Sequence, residues 1–241
     1  MARNLNGTSD QIDLSAHLVV SGSFSLSGWI FPTSTAATNA IFGGTVNGDI
    51  EFRTSGTNLE FLAFSVVSIG SVNSVISSTS IWYQVGLSYD QTNWVIYVNG
   101  VSRGSGSNAH GTTGFNQLGT SAGFDRFPGR LADLAAWNVI LTATEFAGLG
   151  KGIRPWQIRP LALKGWWPLD GLQSPEPDLS ASGTVHNGTL TGTGAAFGPP
   201  FSQVTPHWRM DAISPFTVPA APPTFPFQAT QILRRPRIIG Y

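Results

Sequence analysis

The chain has 241 residues, of which 41% are hydrophobic and 11% are charged, against roughly 25% charged residues in an average globular protein. This is enough apolar material for one sizeable core, and an all-β sandwich commonly takes about 200 residues as a single domain. The formal net charge of zero excludes a global field that recruits nucleic acid or anionic membrane, and the lack of Cys excludes disulfides and Cys-based zinc sites.

A two-residue apolar period, broken by turn residues, runs through most of residues 5–145 and predicts β-strands. The clearest strand patterns are 24–31, 51–53, 59–64, 81–87, 94–98 and 129–137. The strand at 24–31 has large residues on both faces, so we expect it to be packed on both sides. The turn sequence 55–58 predicts a hairpin, and Asn99-Gly100 supplies the positive φ angles of a second tight turn.

One stretch predicts a helix. Thr142-Ala-Thr-Glu145 has the form of a capping box, and a short run to about residue 149 ends at Gly150. Proline becomes frequent from Arg154 onward, yet 166–170 and 188–192 still have strand patterns. These late strands are expected to complete the same sandwich, and the alternative is a second, truncated copy of the domain.

The last part of the chain has a different composition. Eight prolines fall within 199–227, which favours extended, polyproline-like backbone. Residues 201–241 carry four Arg and one Asp, whereas residues 1–200 carry nine Lys or Arg and twelve Asp or Glu. Large apolar residues lie between the prolines, so we expect a basic arm that is buried against a partner. Its predicted contact residues are Trp208, Phe216, Phe225, Phe227, Arg234, Arg235, Arg237 and Tyr241.

Catalytic patterns are weak. A retaining glycosidase needs two carboxyl groups about 5 Å apart, commonly from alternate residues of one strand. One close pair, Glu176-Pro-Asp178, is interrupted by prolines and is expected in a loop. The four histidines are scattered without metal-ligand spacing, and 104–108 is interpreted as a Gly/Ser loop rather than a nucleophile elbow. We therefore predict that the chain is not an enzyme and has no cofactor.

Binding residues are harder to predict. Loop oxygens of Asn47 with Asp49, Asp90 with Asn93, and Asp125 could hold a structural calcium, but Asp and Asn also favour turns, and no acidic triplet supports a metal site. Trp94 alternates with core residues and is expected inside. The best ligand-binding candidate is the loop Phe124, Asp125, Arg126 and Phe127, which offers two aromatic rings, a carboxylate and a guanidinium; the alternative is a loop that plugs the end of the sandwich.

Three segments resemble the laminin-G-like and concanavalin A-like domains. They are Phe24-Ser-Leu-Ser-Gly-Trp-Ile-Phe-Pro32, the pair Trp82-Tyr-Gln-Val-Gly-Leu-Ser-Tyr-Asp90 and Trp94-Val-Ile-Tyr-Val-Asn-Gly100, and Gly129-Arg-Leu-Ala-Asp-Leu-Ala-Ala-Trp-Asn138 followed by Leu141-Thr-Ala-Thr-Glu145. The resemblance covers about residues 5–150. It implies an all-β, two-sheet antiparallel jelly-roll sandwich with one short helix and an extended Pro-rich C-terminal tail. The expected domains are 1–198, with closing strands in 160–198, and the arm 199–241.

The resemblance leaves two functional hypotheses. Such domains occur among tailed-phage structural proteins, which implies a non-enzymatic virion protein, a capsid decoration or tail-associated protein that is anchored to neighbouring subunits or copies of itself by its arm. The N-terminus lacks the apolar run of a signal peptide, so we expect synthesis in the host cytoplasm and a place on the virion surface. The alternative is a lectin-like protein that attaches to host or matrix glycans. Neither hypothesis involves nucleic acid or a membrane.

Overall fold

The computed structural model describes residues 1–20, 22–171, 173–192 and 194–200. These residues form an antiparallel β-sandwich with one short α-helix, α1 (Ala143–Gly150), which confirms the predicted fold class. The strands are β1 (Ala2–Asn6), β2 (Gln11–Val19), β3 (Phe24–Pro32), β4 (Thr38–Gly43), β5 (Ile50–Ser55), β6 (Asn58–Ala63), β7 (Val67–Val72), β8 (Tyr83–Tyr89), β9 (Asn93–Val98), β10 (Val101–Ser107), β11 (Gly114–Leu118), β12 (Pro128–Trp137), β13 (Leu163–Trp167), β14 (Gly188–Thr191) and β15 (Gly194–Ala196).

The strands divide into two sheets. Sheet A has the order β10-β9-β8-β3-β12-β1-β15, with β13 also paired to β12, and sheet B has the order β14-β2-β11-β4-β5-β6-β7. Neighbouring strands pair antiparallel in both sheets. The hairpin predicted at 55–58 is β5–β6, and the predicted Asn99-Gly100 turn joins β9 to β10; β8 and β9 form a further antiparallel pair.

The main core lies between the sheets and follows the two-residue period. In β5, Ile50 and Phe52 are fully buried core residues, whereas Glu51 and Arg53 alternate with them and so point to the outer surface of sheet B. Strand β3 is buried on both faces from Phe24 to Ile30, as its pattern predicts.

A second apolar cluster covers part of the outer surface of sheet A. Helix α1 begins at the Thr142 N-cap with the predicted capping box, and its Phe146 ring stacks on Tyr97 of β9 with the ring centroids 4.0 Å apart. Trp137 is fully buried beneath this layer and donates from Nε1 to the Ile158 carbonyl at 2.8 Å. The helix and the chain that follows therefore bury one face of the sandwich that would otherwise be open.

The interpretation of 104–108 as a loop is wrong for its first four residues. Residues Val101–Ser107 form β10, an edge strand of sheet A. The strand is poor in large residues because the Trp94 ring lies across it, and a Cβ atom at Gly106 would stand 2.8 Å from Cζ2 of that ring. Glycine is needed here because the indole ring of Trp94 approaches the backbone closely. The repeated glycines remove the alternation of large residues by which a strand is predicted from sequence.

The late strands enter both sheets. Strand β13 pairs with β12 and β15 pairs with β1 in sheet A, and β14 pairs with β2 in sheet B. Between them, Glu176 is fully buried in an ion pair with Arg3, outside any strand. The domain limits given above stay a prediction, because the arm beyond residue 200, with all eight of its predicted contact residues, lies outside the described residues. No helix in the described ranges is long and apolar enough to cross a membrane.

Candidate functional site

Loop 119–127, the connection between β11 and β12, folds back over the outer surface of sheet B. The Ala122 amide donates to the Gly44 carbonyl at 3.0 Å, and the Ala40 amide donates to the Asp125 carbonyl at 2.7 Å. Gly43 must be glycine at this crossing, because a Cβ atom there would overlap the Thr120 carbonyl. The loop is thus held against β4 by backbone hydrogen bonds.

The tip of this loop is a tight two-residue turn. Ser121 and Phe124 exchange backbone hydrogen bonds of 2.8 and 3.2 Å across Ala122 and Gly123, which have φ angles of 48° and 74°. Two consecutive positive φ angles are the signature of a type I′ turn. The Thr120 hydroxyl also donates to the Phe124 carbonyl at 2.7 Å. The turn fixes the backbone of Phe124, while its ring stays 76% exposed.

The structure separates the four residues of the predicted binding loop. Phe127 is fully buried in the main core, so its ring offers no surface on which a ligand could stack. Arg126 holds the loop down: its Nη1 donates to Gln11 Oε1 at 2.7 Å and to the Ser9 carbonyl at 2.9 Å. Phe124 is exposed, and Asp125 extends to Arg53 on the outer surface of sheet B.

An arginine at the centre of this surface binds three carboxyl groups. Arg53 donates from Nε to Glu60 Oε2 at 3.0 Å, across the β5–β6 pair. Its Nη1 lies 3.2 Å from both Glu51 Oε1 and Asp125 Oδ2. The side chains of Arg53 and Glu60 are each 20% exposed and that of Asp125 is 28% exposed, so all three can contact a ligand.

Glu51 is the buried member of this network. It is only 2% exposed, and this burial raises the pKa of its carboxyl group to about 7, against the lowering effect of Arg53 and with a further contribution from its hydrogen bond to Asp125. A protonated Glu51 can donate to Asp125, which fastens the loop to β5. The group acts from beneath the surface, because it has almost no contact with solvent.

This arrangement suits a hydroxyl-rich ligand. The half-buried carboxylates accept hydrogen bonds, the guanidinium donates them, and the Phe124 ring provides a flat apolar face. We call Phe124, Asp125, Arg53 and Glu60 the sheet B site. Strand alternation indicates that Glu51 and Arg53 lie on the outer surface. The contacts of Arg53 with Glu60 on the next strand and with Asp125, some 70 residues away, could not be predicted from spacing along one strand.

The other predicted oxygen ligands have local partners. Asp49 is fully buried and accepts from His17, Thr113 and two backbone amides. Asp90 accepts from the amides of Thr92 and Asn93 at 2.9 and 2.6 Å, and these bonds lower its pKa. No group of three metal-ligating side chains is present in the described part of the chain. Trp94, the other aromatic candidate, is a core residue.

The fold and the polar face opposite the helix define a lectin-like jelly roll. A sequence profile described as Concanavalin A-like lectin/glucanases superfamily matches residues 6–147, and the chain belongs to this family. No match was found among curated proteins.

Solved structures share the fold. A candidate carbohydrate-binding protein from Bacteroides ovatus ATCC 8483 is 23% identical with a TM-score of 0.57; the match covers 80% of this chain and 61% of that one, so this chain spans less than two thirds of its relative. A heptameric SAP-like pentraxin from Limulus polyphemus is 20% identical with a TM-score of 0.52 and matches over 64% and 84% of the two chains. At these identities the likeness concerns the fold alone.

Proposed function

We propose that the chain is a non-enzymatic glycan-binding protein and that the sheet B site contacts the sugar. The observation that carries the proposal is Phe124, 76% exposed on a fixed turn and next in the chain to Asp125, which joins the partly exposed Arg53 and Glu60. An exposed aromatic ring offers a sugar a flat apolar face, and the paired charges next to it in the chain offer hydrogen bonds.

The balance of charge favours a neutral sugar. Three carboxyl groups surround Arg53, and Arg126 is occupied with Gln11 and backbone carbonyls of the β1–β2 turn. An acidic sugar would bring another negative charge to this surface without a spare cation to receive it. The uncharged hydroxyl groups of a neutral sugar can instead donate to Asp125 and Glu60.

Three carboxyl groups on one arginine also raise the question of catalysis. Glu51 has the raised pKa of a general acid, but a general acid must lie within hydrogen-bond reach of the bond that it cleaves. With 2% exposure beneath the loop, Glu51 does not reach a substrate on the surface. Binding without cleavage is therefore the proposed activity, and the fold relative from B. ovatus, itself a candidate carbohydrate-binding protein, is consistent with it.

The test is binding of the full-length protein to a glycan array, followed by calorimetric titration with the best neutral ligand. Phe124→Ala should weaken binding by about tenfold, about 1.4 kcal/mol, through loss of the stacked ring. Phe197→Ala is the matched control, because Phe197 is equally exposed at 75% but follows β15 of sheet A. Equal losses in the two variants, or a sugar product released on prolonged incubation, would contradict the proposal.

The virion hypothesis, with its surface location and neighbouring-subunit partners, stays a prediction. It depends on the arm 199–241, of which only residues 199 and 200 are described. The two hypotheses are compatible, since a protein on a particle surface can also bind glycans.

A further inference from the structure

A pocket is formed by residues other than those of the sheet B site. Its volume is about 260 Å³, and it is formed by the end of β2, by β13 and by the loop that precedes β14. Besides two aliphatic residues of β2, the lining residues are His17, Lys164, Ser182, Thr184 and His186. One lysine and two histidines thus line a common space, and no Asp or Glu lines it.

Each imidazole is fixed by a buried aspartate behind it. His17 Nε2 lies 2.8 Å from Asp49 Oδ1, and Asp49 also accepts from the Thr113 hydroxyl at 2.6 Å. His186 Nδ1 lies 3.3 Å from Asp178 Oδ2, and the side chain of His186 is only 7% exposed. Since a carboxylate can only accept, each ring donates the N–H that faces its aspartate.

The second nitrogen of each ring is left for the pocket. Asp178 is occupied by the amides of Trp166, Ser180 and His186 at 2.9–3.1 Å, so its position is fixed independently of the ring. Among the described residues, nothing bonds Nδ1 of His17 or Nε2 of His186. When protonated, each ring presents an N–H from this nitrogen while it keeps its aspartate.

A cation is a poor occupant of this space, because the Lys164 ammonium group would repel it and because both aspartates are already saturated with donors. The Ser182 hydroxyl donates its hydrogen to the Thr184 carbonyl at 2.8 Å, so Lys164 is the main donor, and each ring adds one N–H when it is protonated. Several N–H donors around a small space fit a compact group with several acceptor oxygens.

We propose that this pocket binds a tetrahedral oxyanion, a sulfate or phosphate group, through Lys164, His17 and His186. The volume admits either the inorganic ion or the same group as an ester on a sugar, and the chemistry of recognition is shared. The site is independent of the sheet B site, so either proposal can fail without the other.

The test uses the fact that Lys164 and Lys151 are the two lysines of the whole chain. Reductive ¹³C-methylation keeps the charge of lysine and gives each a separate NMR signal. The full-length protein is titrated at constant ionic strength with sulfate, phosphate, a sugar monosulfate and, as a control, chloride. The Lys164 signal should shift and saturate with the oxyanions, while the exposed Lys151 should not respond.

The variants Lys164→Met and Lys151→Met then test the role of the charge. Lys164→Met should weaken oxyanion binding by about tenfold, the usual effect of losing one charge-assisted hydrogen bond, and Lys151→Met should leave it unchanged. If Lys164→Met does not fold, the titration of the wild-type protein still decides.

Saturation by the sugar sulfate alone supports the site and identifies the ester as the source of the anion. Equal, non-saturating shifts of both lysines would mean an adventitious ion only, and tight Zn²⁺ binding without a sulfate response would mean a metal site; either result overturns the proposal.

Discussion

The buried carboxyl group of Glu51 makes the stability of the protein depend on pH in a predictable way. Burial raises its pKa from the ordinary 4.5 to about 7 in the folded chain. Between these two values the unfolded chain has released the proton that the folded chain still holds. The stabilising effect of the protonated group is therefore complete below pH 4.5 and is lost as the pH rises through 7.

The substitution Glu51→Gln removes this titration and keeps the shape. The amide can donate to Asp125 as the protonated acid does, and its oxygen can accept from Arg53. The pKa difference runs from 4.5 to about 7, and each unit corresponds to about 1.36 kcal/mol. At pH 8, where Glu51 is ionised, the free energy of unfolding of the wild type is therefore lower by on the order of 3 kcal/mol. The variant should therefore gain up to about 3 kcal/mol over wild type at pH 8 and differ little from it at pH 4.

Both proteins are unfolded in urea at pH 4, 6 and 8, and unfolding is monitored by tryptophan fluorescence. The difference between their free energies of unfolding is taken at each pH. Titration of the groups that do not interact with Glu51 cancels in this difference. Glu60→Gln is the matched control, since it removes a carboxylate from the same Arg53 and leaves Glu51 in place, so it should gain nothing at pH 8. A Glu51→Gln difference that is constant from pH 4 to pH 8 would refute the reasoning.

Two further substitutions test the fold. Gly106→Val should destabilise the protein by about 2–4 kcal/mol, because the new side chain must displace the Trp94 ring. Ser105→Val, on the exposed face of the same strand, should cost much less. Equal melting temperatures for the two variants would disprove the packing argument. Thr142→Ala should cost about 1 kcal/mol by removing the N-cap of α1, measured as a shift of the urea midpoint. Thr144→Ala, at the exposed residue two positions further on, should leave the midpoint nearly unchanged.

The sequence was most informative where a local pattern and the tertiary structure agree. The capping box at Thr142 depends on four consecutive residues, and the core positions of β3, β5 and β9 follow from alternation. Strand β10 could not be predicted in the same way, because its sequence has no alternating large residues. Its glycines leave room for the ring of Trp94 on the paired strand β9, and that contact is visible only in the folded sheet.

The sheet B site shows a different limit. The loop that carries Phe124 and Asp125 was recognisable as a candidate from its composition, but Phe127 has the same chemistry and is buried. The roles of Arg53 and Glu51 depend on the register of β5 against β6 and on the path of the loop over β4, both of which are properties of the folded chain. Counting carboxylates along one strand therefore missed the place where three of them meet.

The pairing of Ala2 with Ala196 has a consequence for anyone who expresses this domain. A fragment cut where the family profile ends, at residue 147, would lack β13, β14 and β15. It would expose the open edges of β1 and β2, whose unpaired backbone groups invite pairing with other molecules. Because the first strand finds its last neighbour only after residue 196 has been made, a growing chain must also hold that edge open until synthesis of the sandwich is almost complete.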